Sequence, residues 1–328
     1  MNPLKLSVVL CTYNGTAYLQ LQLDSLLAQT RLPDEMVIHD DGSRDDTHSI
    51  LQAFAITARQ RGVAVTLVPH TQNLGYIENF SAALRQASGD VLFLCDQDDV
   101  WRADKLELMA ARFAGDAGLL LLHSDARLVD AGGQPIGCSL FRALQLSAQE
   151  QAAIHAGDAF QVVLRRSFVT GATAALRREL VALALPVAAD WIHDEWLAAV
   201  AAAAGRVDFV DAPLIDYRQH GGNQIGMRRR TLAMKWQDLS RPRGSLLADE
   251  ARRLQSLESF LAGCGLPCGI EYARQVRQKR LHFERRVALG LLPTWRRVQP
   301  ILQEARSGCY RQFGTGGRSM LRDLLRHD

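Results

Sequence analysis

The sequence predicts an α/β protein, a mostly parallel sheet flanked by helices and continued by a helical C-terminal region. Three observations lead there. The first 125 residues alternate between short apolar runs and segments whose apolar residues recur at helical spacing, the pattern of strands covered on both faces by crossover helices. Polar clusters directly follow several of these runs, at the strand ends where such sheets bind ligands. Beyond about residue 227, basic and apolar residues mix at helical spacing.

The strand-length runs are 6–11 (LSVVLC), 36–39 (MVIH), 63–68 (VAVTLV), 91–95 (VLFLC) and 118–123 (GLLLLH). Between them, Tyr18, Leu19, Leu23, Leu26 and Leu27 mark one helix, and 46–60 and 76–87 mark two more. Residues 126–170 have no clear period. The Ala- and Leu-rich stretch 171–205 reads as helical, and VDFVDAPLIDY (207–217) as a strand and turn. Helical patterns resume at 252–263 (RRLQSLESFLAG) and 280–292 (RLHFERRVALGLL), and the GTGG at 314–317 is a turn. No internal repeat or low-complexity tract is present.

The net charge of +3 hides an asymmetry. Residues 1–225 carry 17 Lys and Arg against 26 Asp and Glu, whereas residues 226–328 carry 21 against 9. An acidic body with a basic C-terminal third suggests a module that faces something anionic. Nucleic acid, an anionic membrane surface and a merely solvated helical face all fit that charge. No run of about 18 apolar residues exists to span a membrane. The N-terminal LKLSVVL enters a strand pattern without a basic leader, so no secretory signal is expected. Six cysteines are scattered, and the pair in CGLPC (Cys264, Cys268) lacks a second pair for a zinc site. These features predict a reduced, cytoplasmic protein.

The sharpest local signal is CDQDDVW at 95–101, which places Asp96, Asp98 and Asp99 at the end of an apolar strand. Like charges so close repel and lose hydration beside a core, so such clusters persist where a cation neutralises them. A hard ion such as Mg²⁺ takes oxygen ligands and bridges to substrate phosphates; one Asp could instead cap the following helix. Thr12-Tyr13-Asn14 and Asp40-Asp41-Gly42-Ser43 follow two other strands and fall on the same sheet edge. G-x-G-x-x-G, G-x-x-x-x-G-K-[ST] and G-x-S-x-G signatures are all missing, which speaks against a dinucleotide fold, a P-loop NTPase and a nucleophile-elbow hydrolase.

The stretches SVVLCTYNG, LDSLLAQT, PDEMVIHDDGSRDDT, NLGYIENFSAAL and ASGDVLFLCDQDDVW, in that order over about residues 5–125, resemble the family 2 glycosyltransferases, inverting enzymes of the Rossmann-like GT-A fold. HDEWLAAVAAAAG and VDAPLIDYRQHGGNQIG (193–226) look like the acceptor half of the rhamnosyltransferase-like branch. The resemblance implies a GT-A domain with a nucleotide-sugar-binding half at 1–125 and an acceptor-binding half at 126–226, then a basic helical region at 227–328.

It also implies roles. Thr12 and Tyr13 would flank the nucleotide base, and Asp41 would accept its imide N–H. Asn73 and Asn79 would close the pocket, unless they serve only a turn and a capped helix. Asp96 would touch the ribose or metal-bound water. Asp98, with Asp99 beside it, would hold Mg²⁺ or Mn²⁺ on the donor diphosphate, and His220 would complete the metal shell or bond a phosphate, with Arg218 a further phosphate contact. Trp101 would wall the sugar pocket or anchor the core. Asp194, in the His193-Asp194 pair, would be the catalytic base; Glu195 beside it departs from the aromatic usual in that branch.

The implied partners are a dTDP- or UDP-sugar and a glycan or lipid-linked acceptor, with dTDP-L-rhamnose the first donor suggested. No nucleic acid is expected, and a sugar-nucleotide nucleotidyltransferase or a nucleic-acid-binding tail are the alternatives. The tail suits peripheral contact with the inner face of the cell membrane, through Arg285, Arg286, Arg296 and Arg297 beside Leu291, Leu292 and Trp295.

Overall fold

A computed structural model describes residues 3–221 and 244–326. The chain forms two compact units. The first comprises the chain through Ala159, Phe168–Val187, and the described residues from Ile192 onward to 221; the second comprises Phe160–Ser167, Ala188–Trp191 and the described residues from 244. The expected boundary at 226/227 lies outside the described residues, as do the last residues of the HGGNQIG stretch.

The first unit opens with β1 (Leu6–Thr12), α1 (Leu19–Leu27), β2 (Glu35–Asp40), α2 (Thr47–Gln60), β3 (Ala64–Pro69), α3 (Tyr76–Gln86) and β4 (Val91–Cys95). Every residue of β1 and β4 is buried, as a central strand with helices on both faces requires. β3 alternates exposed and half-buried positions, because it is the sheet edge. Pairing is parallel through β3–β2–β1–β4, with Thr12 level with Asp40 and Leu10 level with Cys95. The carboxyl ends of three strands therefore finish side by side.

The second half of the sheet departs from expectation. β5 (Val100–Trp101), α4 (Lys105–Gly115) and β6 (Leu119–Val129) follow, then β7 (Pro135–Ser139) and the short helices α5 (Leu140–Leu144), α6 (Ala148–His155) and α7 (Ala159–Val163). The stretch read as helical over 171–205 instead holds a 3₁₀ turn (Gly171–Thr173), a strand β8 (Ala175–Arg177), and two helices, α8 (Arg178–Ala184) and α9 (His193–Ala204). β8 inserts antiparallel between β4 and β6. Three residues in an Ala- and Leu-rich run are too short to show a period of two, which is why the pattern concealed it. β9 (Arg206–Arg218) is a single 13-residue strand, parallel to β6 with register shifts and antiparallel to β5.

In the second unit, α10 (Gly244–Gly263) and α11 (Gly269–Gly290) pack together, and α12 (Thr294–Arg306), α13 (Cys309–Gln312) and α14 (Gly317–Leu325) follow. Leu247, Ala251, Leu254, Leu257 and Leu261 of α10 are buried at intervals of three and four, the apolar stripe of an amphipathic helix. Among the described residues no helix is long and apolar enough to cross a membrane.

One core residue of the first unit makes stability depend on pH. His123 on β6 is fully buried among Phe141, Phe168 and Phe209, and neither ring nitrogen has a hydrogen-bond partner. Burial, with a smaller contribution from His155, lowers its pKa to about 3. The unfolded chain therefore takes up a proton near pH 6.5 that the folded chain refuses, and stability present above that pH drains away as pH falls toward 3. We expect His123→Phe to flatten the fall of Tm between pH 7 and 4, measured by thermal melts across that range.

Candidate functional site

Hydrogen bonds between loops assemble the site at the carboxyl edge of the sheet. After β1, Tyr13 N–H donates to Gln97 Oε1 (2.8 Å), while Gln97 Nε2 donates to Tyr13 O (3.0 Å). Gln97 lies so close over Gly15 that a Cβ there would meet Oε1 at 2.4 Å, so a larger residue would push the Gln97 side chain from this position. Asn14, in the left-handed region at φ 48°, donates its N–H to Ser43 Oγ (2.8 Å) and accepts Arg44 N–H on Oδ1 (2.9 Å). Asn tolerates that conformation better than most residues.

The residues expected around the nucleotide fall at this edge, with differing orientations. Tyr13 is 41% exposed and offers an open ring face. Thr12 is buried, its hydroxyl donating to Asp40 Oδ1 (2.8 Å). Asp41 is buried and accepts two backbone N–H groups, from Leu74 (2.6 Å) and Gly75 (3.0 Å). A carboxylate has about four acceptor positions, so two remain. Asn73 accepts Gly75 N–H (3.1 Å) and donates to Asp41 O (3.3 Å). Asn79 is buried in α3 and donates to His39 O (3.3 Å). Asn73 and Asn79 thus tie the loop after β3, and the start of α3, onto the end of β2.

On the acidic side, Asp98 Oδ2 and His220 Nε2 lie 2.8 Å apart, joining residues 122 positions apart in sequence. The Tyr18 ring lies against that imidazole at 4.8 Å. Asp99, expected as a second metal ligand, keeps one oxygen, Oδ2, without a hydrogen-bond partner among the described residues. It is fully buried, and its Oδ1 accepts the backbone N–H of Arg218 (3.0 Å) at the end of β9. Arg218 is likewise buried rather than offered to phosphate; its guanidinium donates to the carbonyls of Asp98 (2.8 Å) and Ala131 (3.1 Å). Trp101 is an anchor: it is 3% exposed and its backbone N–H donates to Ser25 Oγ (3.0 Å).

Asp194 opens α9, and both its oxygens are oriented by backbone donors. Oδ2 accepts Gly171 N–H and Oδ1 accepts Glu195 N–H, each at 2.8 Å. His193 stacks on Phe80 at 4.5 Å, and burial lowers its pKa. Asp194 lies near enough to the acidic turn to act on it electrostatically. Burial first, then the charges of Asp98 and Asp194, push Asp96 up to about 7, while burial and its neighbours Asp98 and Asp96 raise Asp99 strongly. Four carboxylates thus share one poorly hydrated place.

The donor set fits a divalent ion. A carboxylate and an imidazole, Asp98 and His220, converge beside a second carboxylate, Asp96, that is costly to ionise without a cation. All-oxygen or mixed oxygen–nitrogen sites of this kind suit Mg²⁺ or Mn²⁺. A separate cluster, His282, Glu304 and Cys309, lies in the second unit. There Glu304 already accepts from His282 Nδ1 (2.7 Å) and Arg285 (2.9 Å), so its oxygens serve helix packing.

Sequence reasoning missed Gln97 and Lys105. Lys105 is fully buried, lies 3.6 Å from the Trp101 ring centre, and donates to Ala172 O (3.0 Å). It thereby pins the 3₁₀ turn whose Gly171 N–H holds Asp194. Burial lowers its pKa to about 7 against the opposing pull of Cys95, Asp99 and Asp96. A signal existed: Lys105 begins α4, and a cation at a helix N-terminus opposes the macrodipole.

This is a GT-A glycosyltransferase architecture, with an acidic turn and the Asp194 carboxylate near the carboxyl edge of its sheet. Residues 7–181 match the sequence profile of glycosyl transferase family 2, and the chain belongs to that family. An uncharacterized glycosyltransferase of Nostoc, alr2836, is 26% identical over 298 residues, covering 89% of this chain and 86% of its own. The fold resembles that of Staphylococcus aureus TarS 1–349 in complex with UDP-GlcNAc (TM-score 0.54, 17% identity, 98% of this chain and 90% of that one). It also resembles the mannosyltransferase PcManGT of Pyrobaculum calidifontis in complex with GDP-Man and Mn²⁺ (TM-score 0.53, 18% identity, 98% and 79%).

Lys105→Met should cost about 2 kcal/mol in urea denaturation, because it leaves a buried carbonyl unpaired and removes the cation under the acidic turn. Adding Asp99→Asn should recover part of that loss, since the two sites are coupled through charge.

Proposed function

We propose that this enzyme is an inverting, metal-dependent glycosyltransferase that moves a sugar from a dTDP- or UDP-activated donor to a hydroxyl of a glycan or lipid-linked acceptor. The product belongs to cell-surface polysaccharide, and the reaction takes place in the cytoplasm at the inner face of the membrane. L-rhamnose is the first donor sugar to test, on the resemblance of residues 193–226 to that branch. The observation that carries the reading is Asp194. It is a carboxylate with both oxygens oriented by backbone donors, close enough to Asp96 to raise that group's pKa.

In this reading the Tyr13 ring stacks on the base and Asp41 accepts its imide N–H, with Thr12, Asn73 and Asn79 holding those loops in place. Asp96 bonds the ribose or ordered water. Asp98 and His220, with Asp99 beside them, would hold Mg²⁺ or Mn²⁺, which when bound would neutralise charge gathering on the departing diphosphate. Asp99 acts from behind, fixing the end of β9 so that His220 meets Asp98. Asp194 takes the proton of the acceptor hydroxyl as that oxygen attacks the anomeric carbon from the side opposite the diphosphate. The new carbon–oxygen bond forms as the bond to the leaving phosphate breaks, which inverts the configuration.

Calorimetry of UDP and dTDP, with and without Mn²⁺, tests the donor side. Wild type should bind one of them far more tightly with the ion, and Asp98→Ala should lose that dependence. Asp194→Asn should keep nucleotide binding and lose a factor of about 10² to 10⁴ in turnover, the usual contribution of a general base. Near-normal turnover in Asp194→Asn would remove the base from this reading, and failure of both diphosphates to bind would remove the donor.

A further inference from the structure

The second unit buries arginines and exposes apolar side chains. Arg286 makes a two-point bond to Asp323 at 2.6 and 3.1 Å, and both residues are buried. Arg297 is buried too and donates to the carbonyls of Leu292 (2.7 Å), Gly290 (3.1 Å) and Asp323 (3.3 Å). Two of the arginines expected at a membrane surface are therefore internal clamps that fasten α11, α12 and α14 together. Arg285 is exposed but is paired with Glu304.

The outer faces of α12 and α14 are apolar. Trp295 is 72% exposed, with Val298 and Leu302 following at intervals of three and four along α12, so the three form one stripe. Leu321 and Leu325 form a second stripe on α14, and Leu291 precedes α12 at 84% exposure. Scattered exposed apolar residues are ordinary, but two stripes on helices packed against one another are not.

Exposed arginines also stand on α12 and α14 and on α13 between them. Most arginines of α10 and α11 are spoken for: Arg252 with Asp249, Arg274 with Glu271, Arg280 with Glu258 and Glu284. Arg296, Arg306, Arg311 and Arg318 are all exposed, and among the described residues none of them makes an ion pair. Arg296 lies over the Trp295 ring at 4.7 Å. Uncompensated guanidinium groups flanking an exposed Trp and leucines match an interface with acyl chains below and anionic headgroups around.

We propose that α12 and α14 form a docking surface for an anionic lipid bilayer, with Trp295, Val298 and Leu302 entering the headgroup region and the four arginines meeting lipid phosphates. The surface deepens the proposed transfer to a membrane-borne acceptor, yet its test needs neither donor nor acceptor, so its failure would leave the transferase reading intact. An acidic or nucleic-acid partner would use the charge but leave the apolar stripes without a purpose.

The experiment is co-sedimentation of the full chain with phosphatidylcholine vesicles and with vesicles containing phosphatidylglycerol, at low and high salt. We expect binding to the anionic vesicles only, weakened by salt and accompanied by a blue shift in tryptophan emission. Trp295→Ser with Leu302→Ser should weaken it more than about tenfold, and replacing the four arginines by glutamine should cost about fivefold for each charge near the surface. Unchanged thermal melting and nucleotide binding would show that these variants remain folded. Equal binding to neutral vesicles, unaltered binding by the Trp295 and Leu302 variant, or tight binding to single-stranded RNA without vesicle binding would overturn the proposal. So would a wild-type dimer that the same variant dissolves in the absence of vesicle binding.

Discussion

The first unit is organised around the mutual repulsion of Asp96, Asp98 and Asp99. Three carboxylates in one turn beside a core would drive the turn into solvent unless charge and hydrogen bonds reached them from elsewhere in the chain. Each compensation comes from a distant element. Lys105 stands beneath the turn, the backbone N–H of Arg218 meets Asp99, and His220 meets Asp98. Because two of these donors sit at the end of β9, that strand must run its full 13 residues and arrive in register. The antiparallel pairing of β9 with the two-residue β5 fixes that arrival, with Val100 level with Asp216.

The same compensation ties the two halves of the site together. Lys105 neutralises from below and also bonds Ala172 O, in the turn whose next amide toward the N-terminus orients Asp194. A side chain that serves the acidic turn thus also places the Asp194 carboxylate. The arrangement explains why a cation is tolerated at the start of α4 against the helix dipole: the field of the carboxylates outweighs it. Gln97 performs the matching task toward the nucleotide loop, by exchanging two hydrogen bonds with the Tyr13 backbone.

Much of this was legible in the sequence, and the illegible parts share a cause. The central strands β1 and β4 announced themselves because they are buried along their whole length, and the three polar clusters lay on one edge because parallel strands all end there. β8 stayed hidden because three residues cannot display a period. Asp98 and Asp99 look equivalent in a string, yet Asp98 meets His220 while Asp99 is buried with Oδ1 on the Arg218 amide. Arg286 and Arg297 were misread for a related reason. Helical arginines are ordinarily solvated, and nothing local reveals an Asp323 waiting 37 residues later.

That inversion in the C-terminal helices bears on how charge should be read from composition. Net charge counts every arginine alike, yet a guanidinium buried against a carboxylate, as Arg286 is, or against carbonyls, as Arg297 is, contributes rigidity, while one left unpaired at a surface contributes a field. Here the two kinds are separated in space: the clamps Arg286 and Arg297 hold the helices by their inner faces, and Arg296, Arg306, Arg311 and Arg318 remain outside. The clamps share those inner faces with Leu289, Ile301 and Tyr310, while Trp295, Val298 and Leu302 lie outside. Replacing Arg286 with a leucine of ordinary helical packing would remove a costly buried charge, but it would also strand Asp323 and the Tyr310 hydroxyl that bonds it (2.8 Å). The clamp thus works beside the apolar contacts of Leu289, Ile301 and Tyr310 that close the same helices, and its carboxylate cannot be left behind without its guanidinium.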